Sequence, residues 1–485
     1  MRPTLGCTDE EILTLPYFDL LAAADENRDM PCDIESYSLG DGIIHLVLPE
    51  GLNERAVAVY IRDRDGNYLA RRVYDFTREA KIGPWLIVLD HPVLPVMYFE
   101  TNVPGTYETM NEAKHKDVLC DGKMHLCVGG KKLLTYESSA TLQGRGNSSW
   151  ETAKAKKSYT MKLEKSRNLL GMGEFKNWNL LGNAYDLSLI KNISFNEIAD
   201  RCGISYQPQM QNINLYVDGK YQGVFTLTTK IKEGKSRIPL KKGDLLYKMD
   251  PPEQEQPVRY ESSTWVDDGS GYPVADLKYP SDASADELAR AAAVLQGFID
   301  KVEDPACADL ADICDIESVA RYYWVQEISM NFDAWGRSVY MYHKEKEGKM
   351  HMGPVWDMDL TLGRPDKKQN VSFESPEGWK VRNGGIYRTL FENVEFVRVV
   401  NDVYHNGGIR EAMLEGADIL ERNKKAMGND AYLNYILYGN ANVRDMTIDY
   451  GSSYDEYTDN MIGFYRQRAA WIDAQMGTDA AATSP

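Results

Sequence analysis

The sequence predicts an α+β fold, and three observations carry that reading. Strand-type runs dominate the first part of the 485 residues and helical periodicity dominates the last part. Between them there is no regular strand–helix alternation of the kind that builds a doubly wound parallel sheet. The composition, 43% hydrophobic and 11% aromatic with 30 Tyr and 9 Trp, supplies a large core and excludes a disordered or fibrous chain. Length divided by a typical domain size suggests two or three units, of which two are preferred. These are an accessory domain over 1–93, holding a helical preamble and a small β-sandwich, and a main domain over 94–478. Residues 479–485 read as a disordered tail.

Taken in order, Thr8-Asp-Glu-Glu11 is a capping-box pattern ahead of Ile12, Leu13, Phe18, Leu20 and Leu21, which gives the helical preamble. Strands follow at 42–48, 56–61, 69–74 and 85–89, with Asp65-Gly66 as a hairpin turn, and these make up the sandwich. The Pro92 to Pro95 stretch marks a boundary before a strand at 96–100. Further strands are expected at 124–128, 138–143, 158–163, 213–217 and 223–228, the last two joined by Asp218-Gly219. A helix over 187–202 has Asp186 as its N-cap and Gly203 as its stop. Later helices are expected at 285–301, opened by Ser284-Ala-Asp-Glu287, and at 316–330, 394–405, 409–427 and 454–476. Residues 251–272 form a polar insertion that reads as a mobile loop.

Charge and cysteine usage narrow the function classes. A net charge of −18 repels phosphate backbones, so a nucleic-acid partner is not expected and basic substrates fit better. The seven cysteines are odd in number and lack zinc spacing, and the seven histidines show no HxxxH pair, so neither a disulfide framework nor a zinc hydrolase is indicated. No apolar run approaches 18 residues, so no transmembrane segment is expected, and no leader pattern is visible in the chain.

The candidate chemistry lies at two places. Residues 337–343 read as a strand, 344–349 as a charged turn containing Gly348, and 350–356 as the returning strand. Asp333 then precedes the first strand and Asp357-Met-Asp359 follows the second, so the three carboxylates meet at one end of a hairpin. Such a cluster suits Mg²⁺, which takes one or two carboxylates plus substrate phosphates. Spacing alone leaves the alternative of a solvated hairpin end. The second place is Gly144-Arg-Gly-Asn-Ser-Ser149, where small residues can turn backbone N–H groups toward an anion or simply make a tight turn. It lacks the Gly-Lys-Ser/Thr of a P-loop and does not open directly into a helix. On the next strand, Tyr159, Met161 and Leu163 share one face and Lys162 the other. That lysine either pairs with phosphate or points to water. Glu197, mid-helix, is either its ion-pair partner or an exposed helix carboxylate.

The order of these features is glycine loop, strand lysine, helical glutamate, loop aspartate, hairpin, then metal-binding aspartate. Protein kinases use that order, although HRD, DFG and APE are all absent here. The chain resembles the spore coat protein H (CotH) kinases, atypical kinases that are secreted or surface-associated. The resemblance runs from about Leu94 to Met476. It is carried by Arg145-Gly-Asn-Ser-Ser-Trp150, Lys157-Ser-Tyr-Thr-Met-Lys-Leu163, Trp178-Asn-Leu-Leu-Gly-Asn183, Asp186 through Asn192, Leu215-Tyr-Val-Asp-Gly-Lys-Tyr-Gln-Gly-Val224 and Gly353-Pro-Val-Trp-Asp-Met-Asp-Leu360.

The resemblance implies a divergent protein-kinase-like domain that uses ATP and Mg²⁺ or Mn²⁺ to phosphorylate Ser/Thr hydroxyls of a protein acceptor, expected to carry basic, Ser-rich segments. It implies an extracellular, cell-surface or spore-coat location. With the kinase-like order, it leads to the expectation that Asp333 and Lys162 take the catalytic roles. In the same expectation Gly144, Arg145, Gly146, Asn147, Lys162 and Glu197 bind the nucleotide, and Asp357, Asp359 and Ser338 hold the metal. Two departures stand out. Thr229 in Leu227-Thr-Thr-Lys-Ile231 replaces the family's usual glutamate, and Ser338 lies five residues after Asp333, where the protein-kinase loop has asparagine. They keep a second expectation open, a surface or coat interaction protein that has lost transfer activity. A third is a kinase-like domain that transfers a group other than phosphate.

Overall fold

The computed structural model describes the backbone of seven strands between residues 18 and 89. It also describes residues 94–482 apart from 129–133, 152–155, 219, 251–256, 265–273, 365–372, 429, 439–447 and 452. The chain divides into two compact units. The first comprises Met1–Leu189, Met210–Thr229 and Lys424–Ala441, and the second comprises Ile190–Gln209, Lys230–Asn423 and Asn442–Pro485.

The early strands are β1 (Phe18–Ala23), β2 (Pro31–Cys32), β3 (Ser36–Gly40), β4 (Ile43–Val47), β5 (Ala56–Asp63), β6 (Tyr68–Asp75) and β7 (Trp85–Leu89). The four strands read from the sequence are all present as β4 to β7. The preamble is corrected in part, because Phe18, Leu20 and Leu21 lie in β1, which pairs antiparallel with β5 from Phe18↔Asp63 to Ala23↔Ala58. Sheet pairing overrides the local helical signal there. Residues 8–13 lie outside the described residues, as does the Asp65-Gly66 turn. A free-standing sandwich is not what the pairing shows. Strands β3, β4 and β7 form a three-stranded sheet, whereas β1, β2, β5 and β6 extend a larger one.

That larger sheet is built on β8 (Val96–Thr101), β9 (Leu119–Val128), β10 (Leu134–Arg145), β11 (Ser158–Asn168), β12 (Glu174–Leu181), β13 (Met210–Val217) and β14 (Lys220–Thr229). Their order is β12-β11-β10-β9-β8-β13-β14, and a further β12–β14 pairing closes the ring into a seven-stranded barrel. Alternation along the strands explains the closure, since inward positions must fill a barrel interior. Met97, Phe99, Met124, Leu126, Leu142, Met161, Trp178, Ile213, Leu215 and Leu227 all belong to one buried core. Strand β12, not foreseen as a strand, supplies the closing seam, where Trp178 faces Thr229 and Leu181 faces Thr226 in register.

The second unit carries a five-stranded sheet of β15 (Leu245–Met249), β16 (Val258–Arg259), β17 (Val274–Tyr279), β18 (Val339–Lys344) and β19 (Lys349–Met352), in the order β16-β17-β15-β18-β19. Strands β18 and β19 are the expected hairpin. Strand β16 and Ser262 to Thr264 lie within the insertion read as a mobile loop. That part is ordered, because the Glu303 carboxylate accepts hydrogen bonds from Ser262, Ser263 and Thr264. Those donors hold the Glu303 carboxyl down at about 2, although burial works against them.

The helices near Ser284 and beyond follow the sequence closely. Ser284 and Glu287 form a reciprocal capping box for Ala285–Val302. The final helix spans Tyr454–Ala482, so it runs into the region read as a tail. The helix expected from 187 begins instead at Lys191. Asp186 spends its carboxylate on Ser188, and Leu189 stands at φ 62°, which blocks helical entry until the next residue.

Candidate active site

In the second unit, Asp333 sits on a single 3₁₀ turn, Phe332–Trp335, directly after the helix Ile316–Ser329. That helix ends because Met330 takes a left-handed conformation. Asn331 then caps the turn, its side-chain oxygen accepting the Asp333 N–H at 3.0 Å. Past Gly336 the chain enters β18, pairs with β19 from Met341↔Met352 to Lys344↔Lys349, and returns through Gly353 to Asp357. The hairpin therefore brings its two outer ends together. Ser338 Oγ donates to Asp357 Oδ2 at 3.0 Å. Both residues are held at positive φ, 54° for Ser338 and 64° for Asp357, a conformation side chains adopt only when the surroundings impose it.

Electrostatics tie Asp333 to the same place. Burial and then the nearby charge of Asp357 push its carboxyl from an ordinary 3.8 up to about 7, against the pull of Arg337 and Arg364, and Asp250 adds to the rise. Asp250 was not singled out in the sequence. It follows β15, whose residue Met249 pairs with Val339, so the register sets it beside Ser338. Lys248 Nζ binds its carboxylate at 2.6 Å.

Two more residues missed in the sequence hold the Asp357 to Asp359 segment from the helix Lys191–Arg201. Asn192 Oδ1 accepts the Met358 N–H at 2.8 Å. The fully buried Lys191 donates from Nζ to the Thr361 carbonyl at 2.8 Å and to the Asp359 carbonyl at 3.4 Å. A lysine buried at the start of a helix that begins only at 191 gives no periodic signal, which is why Glu197 drew attention instead. Glu197 is engaged within its own unit by Arg201 at 3.2 Å and by Arg422. Asp359 is half-buried. Among the described residues, no set of three or more His, Cys, Asp or Glu side chains is grouped to hold a metal.

The other predicted residues lie in the first unit. Lys162 is exposed in the middle of β11, paired with Thr141 and Asn177, while Tyr159, Met161 and Leu163 on the alternate face are buried. It shares a unit with the glycine loop but not with Glu197. Gly144 and Arg145 close β10, and a short helical turn, Ser148–Glu151, follows directly, which corrects the reading that no helix opens there. A Cβ on Gly144 would stand 2.4 Å from the Trp150 ring, so the indole requires that glycine. Gly146 adopts φ 91°, and its carbonyl accepts a hydrogen bond from Lys116 Nζ at 2.8 Å. Asn147 is exposed, and its carbonyl accepts the Trp150 N–H at 3.0 Å. Close by, Lys156 is buried with its Nζ on the Val224 carbonyl and the Asn434 side chain, and burial pulls its pKa well below the usual range.

Comparison with curated proteins finds no match. A family model described as CotH kinase protein matches residues 142–472, a span that takes in the glycine loop, Lys162, the Asp333 turn and the hairpin. The match covers more than half of the chain, and the protein belongs to the CotH kinase family.

Proposed function

We propose that the protein is an atypical protein kinase that transfers the γ-phosphate of ATP to Ser/Thr hydroxyls of a protein acceptor, with Mg²⁺ or Mn²⁺ as cofactor. Family membership supports kinase-like chemistry, and the single observation that carries the finer reading is the Ser338–Asp357 contact beside Asp333. A carboxylate raised to about 7 by burial and then by a second carboxylate, in spite of Arg337 and Arg364, marks a place where negative charge is concentrated. The donor set is all oxygen, which fits a hard divalent ion. Asp357 with Ser338, and Asp359 beyond them, would hold that ion, which supplies charge neutralisation for the phosphates when bound.

The residues of the chain supply the rest. Asp333 orients the acceptor hydroxyl and accepts its proton, a task suited to a carboxylate whose pKa lies near neutrality. Lys191 and Asn192 fix the backbone that carries Asp357 and Asp359. Gly144, Arg145, Gly146 and Asn147 would face the nucleotide phosphates, with Lys162 pairing to them. Catalysis then rests on positioning and charge stabilisation. An acceptor with basic segments fits the net charge of −18. Among the described residues no helix is long and apolar enough to cross a membrane, and an extracellular or spore-surface location belongs to the same proposal.

The test is incubation with γ-labelled ATP, Mg²⁺ or Mn²⁺ and a basic Ser-rich protein, beside Asp357→Ala. Label on the acceptor with wild type and none with the variant is expected. A nucleotide-binding surface protein without transfer is the second reading, favoured by Ser338 and Thr229. It wins if ATP raises the melting temperature of wild type while no label moves.

A further inference from the structure

A buried charge with many hydrogen bonds in the second unit is Glu327, four residues before Asn331. Its side chain and that of Arg468 are both fully buried and meet at 2.5 Å. Arg468 also donates to the carbonyls of Pro376 and Gly378, at 2.9 and 2.6 Å. Glu327 accepts three consecutive backbone N–H groups, those of Lys380 at 2.6 Å, Val381 at 2.9 Å and Arg382 at 2.8 Å. Replacing a buried ion pair by apolar residues is often neutral or stabilising, so stability alone is a weak reason for this one. Its place in the fold suggests a better reason.

The segment it fixes touches the Asp333 turn. Trp335 Nε1 donates to the Val381 carbonyl at 3.0 Å, and its ring lies so close to Gly384 that a Cβ there would stand 2.4 Å from it. At the other end of the turn, Gln326 Oε1 accepts from Asn331 Nδ2 at 2.7 Å, and Asn331 caps the Asp333 N–H. Adjacent residues of one helix, Gln326 and Glu327, thus hold the turn from both sides, one through Asn331 and one through Val381 and Trp335.

We propose that Glu327, clamped by Arg468, is a positioning residue for Asp333, acting through the 380–382 backbone and the Trp335 indole. This rests on the phosphotransferase reading for its consequence and on geometry alone for the coupling. The pair makes the loop rigid, the loop fixes the indole, and the indole sets the turn that carries the carboxylate. A misplacement of about 1 Å in such a group costs on the order of a hundredfold in rate.

The experiment compares the full-length wild type with Glu327→Gln and Trp335→Phe by hydrogen exchange and by steady-state transfer of labelled phosphate. Glu327→Gln leaves Arg468 uncompensated and tests the buried end. Trp335→Phe keeps an aromatic ring, loses the indole N–H together with part of the ring, and keeps the test open if the first variant does not fold. The expected result for Trp335→Phe is roughly tenfold faster exchange of the amides at 333–337, an unchanged melting temperature, and kcat about tenfold lower with KM for ATP unchanged. Unchanged exchange at 333–337 overturns the coupling whether or not the wild type transfers phosphate. In an active enzyme, faster exchange with unaltered kcat overturns the positioning role. A wild type that moves no label defeats the phosphotransferase reading alone, because the exchange measurement still decides the coupling.

Discussion

The two candidate regions, one in each unit, are made in different ways. Around Asp333 and Asp357 the chain is held by polar contacts to buried groups: Asn331, Asn192 and the Ser338 hydroxyl each fix one atom of the segment, and Lys191 holds two of its carbonyls. Around Gly144 it is held chiefly by packing, with Trp150 seated on the glycine and Lys157 over the indole at 4.0 Å, while Lys116 adds a hydrogen bond to the Gly146 carbonyl. Polar contacts fix direction as well as distance, and they serve a group that must carry charge at one point. Packing fixes a surface, and it suits a loop whose backbone is proposed to face the phosphates. Substitutions in the first region should therefore alter chemistry and leave the fold in place, while those in the second should alter the fold first.

The largest expected effect separates these at once. Asp333→Asn is expected to lower phosphate transfer on the order of a thousandfold, as removal of a charge that acts in the transition state does. The same change should not destabilise the protein. The folded-state carboxyl is raised from 3.8 to about 7 by burial and by Asp357, so native stability falls as pH rises between those values and is flat above them. Asn cannot ionise, so the melting temperature of the variant relative to wild type should be level near pH 4 and climb steadily to pH 7. A gain that shrinks with rising pH would contradict the electrostatic account.

Trp150→Ala should do the opposite. Trp150 is 2% exposed, and emptying such a site costs about 3–5 kcal/mol, measured as a lowered urea midpoint. Activity should be lost only to the extent that the barrel unfolds. If Trp150→Ala kept its stability and lost ATP binding, the contrast between the regions would collapse.

Ser338 sharpens the comparison at a smaller scale. Ser338→Ala removes the hydroxyl from Asp357 and should weaken metal-dependent transfer about tenfold, as loss of a supporting contact at a metal site does. Ser338→Asn should retain or raise activity, because asparagine tolerates the left-handed φ of 54° and restores the ligand type of protein kinases. Titration of initial rate against Mg²⁺ distinguishes the two variants. The smallest effect is expected away from the site: Ser284→Ala breaks a capping box and should cost about 1 kcal/mol in thermal unfolding with no change in transfer.

How much of this was legible in the sequence follows the same division. Hairpin signals and period-two alternation are local, so β18, β19 and the faces of β11 could be read directly, and with them the expectation that Asp333 and Asp357 lie at one end of the hairpin; the Ser338–Asp357 contact is the structure's addition. Barrel closure was not readable, because it depends on β12 pairing with β14 across about 50 residues and leaves no local mark. The helix start at Lys191 was missed because Asp186 resembles a cap and the left-handed Leu189 has no sequence signal. Lys191, Asn192 and Asp250 were missed for a related reason: their roles come from tertiary contacts to backbone atoms or from sheet register. Glu327 looked like any helical glutamate until Arg468, 141 residues away, was brought against it.

The central claim is that Asp357, beside Ser338 and Asp333, is the metal and phosphate end of a nucleotide site. The most direct test is the melting temperature of wild type and Asp357→Ala with and without ATP and Mg²⁺. A clear rise for wild type that requires both ATP and the metal, and is lost in Asp357→Ala, is predicted. An equal rise in the two proteins, or none in wild type, would contradict the account.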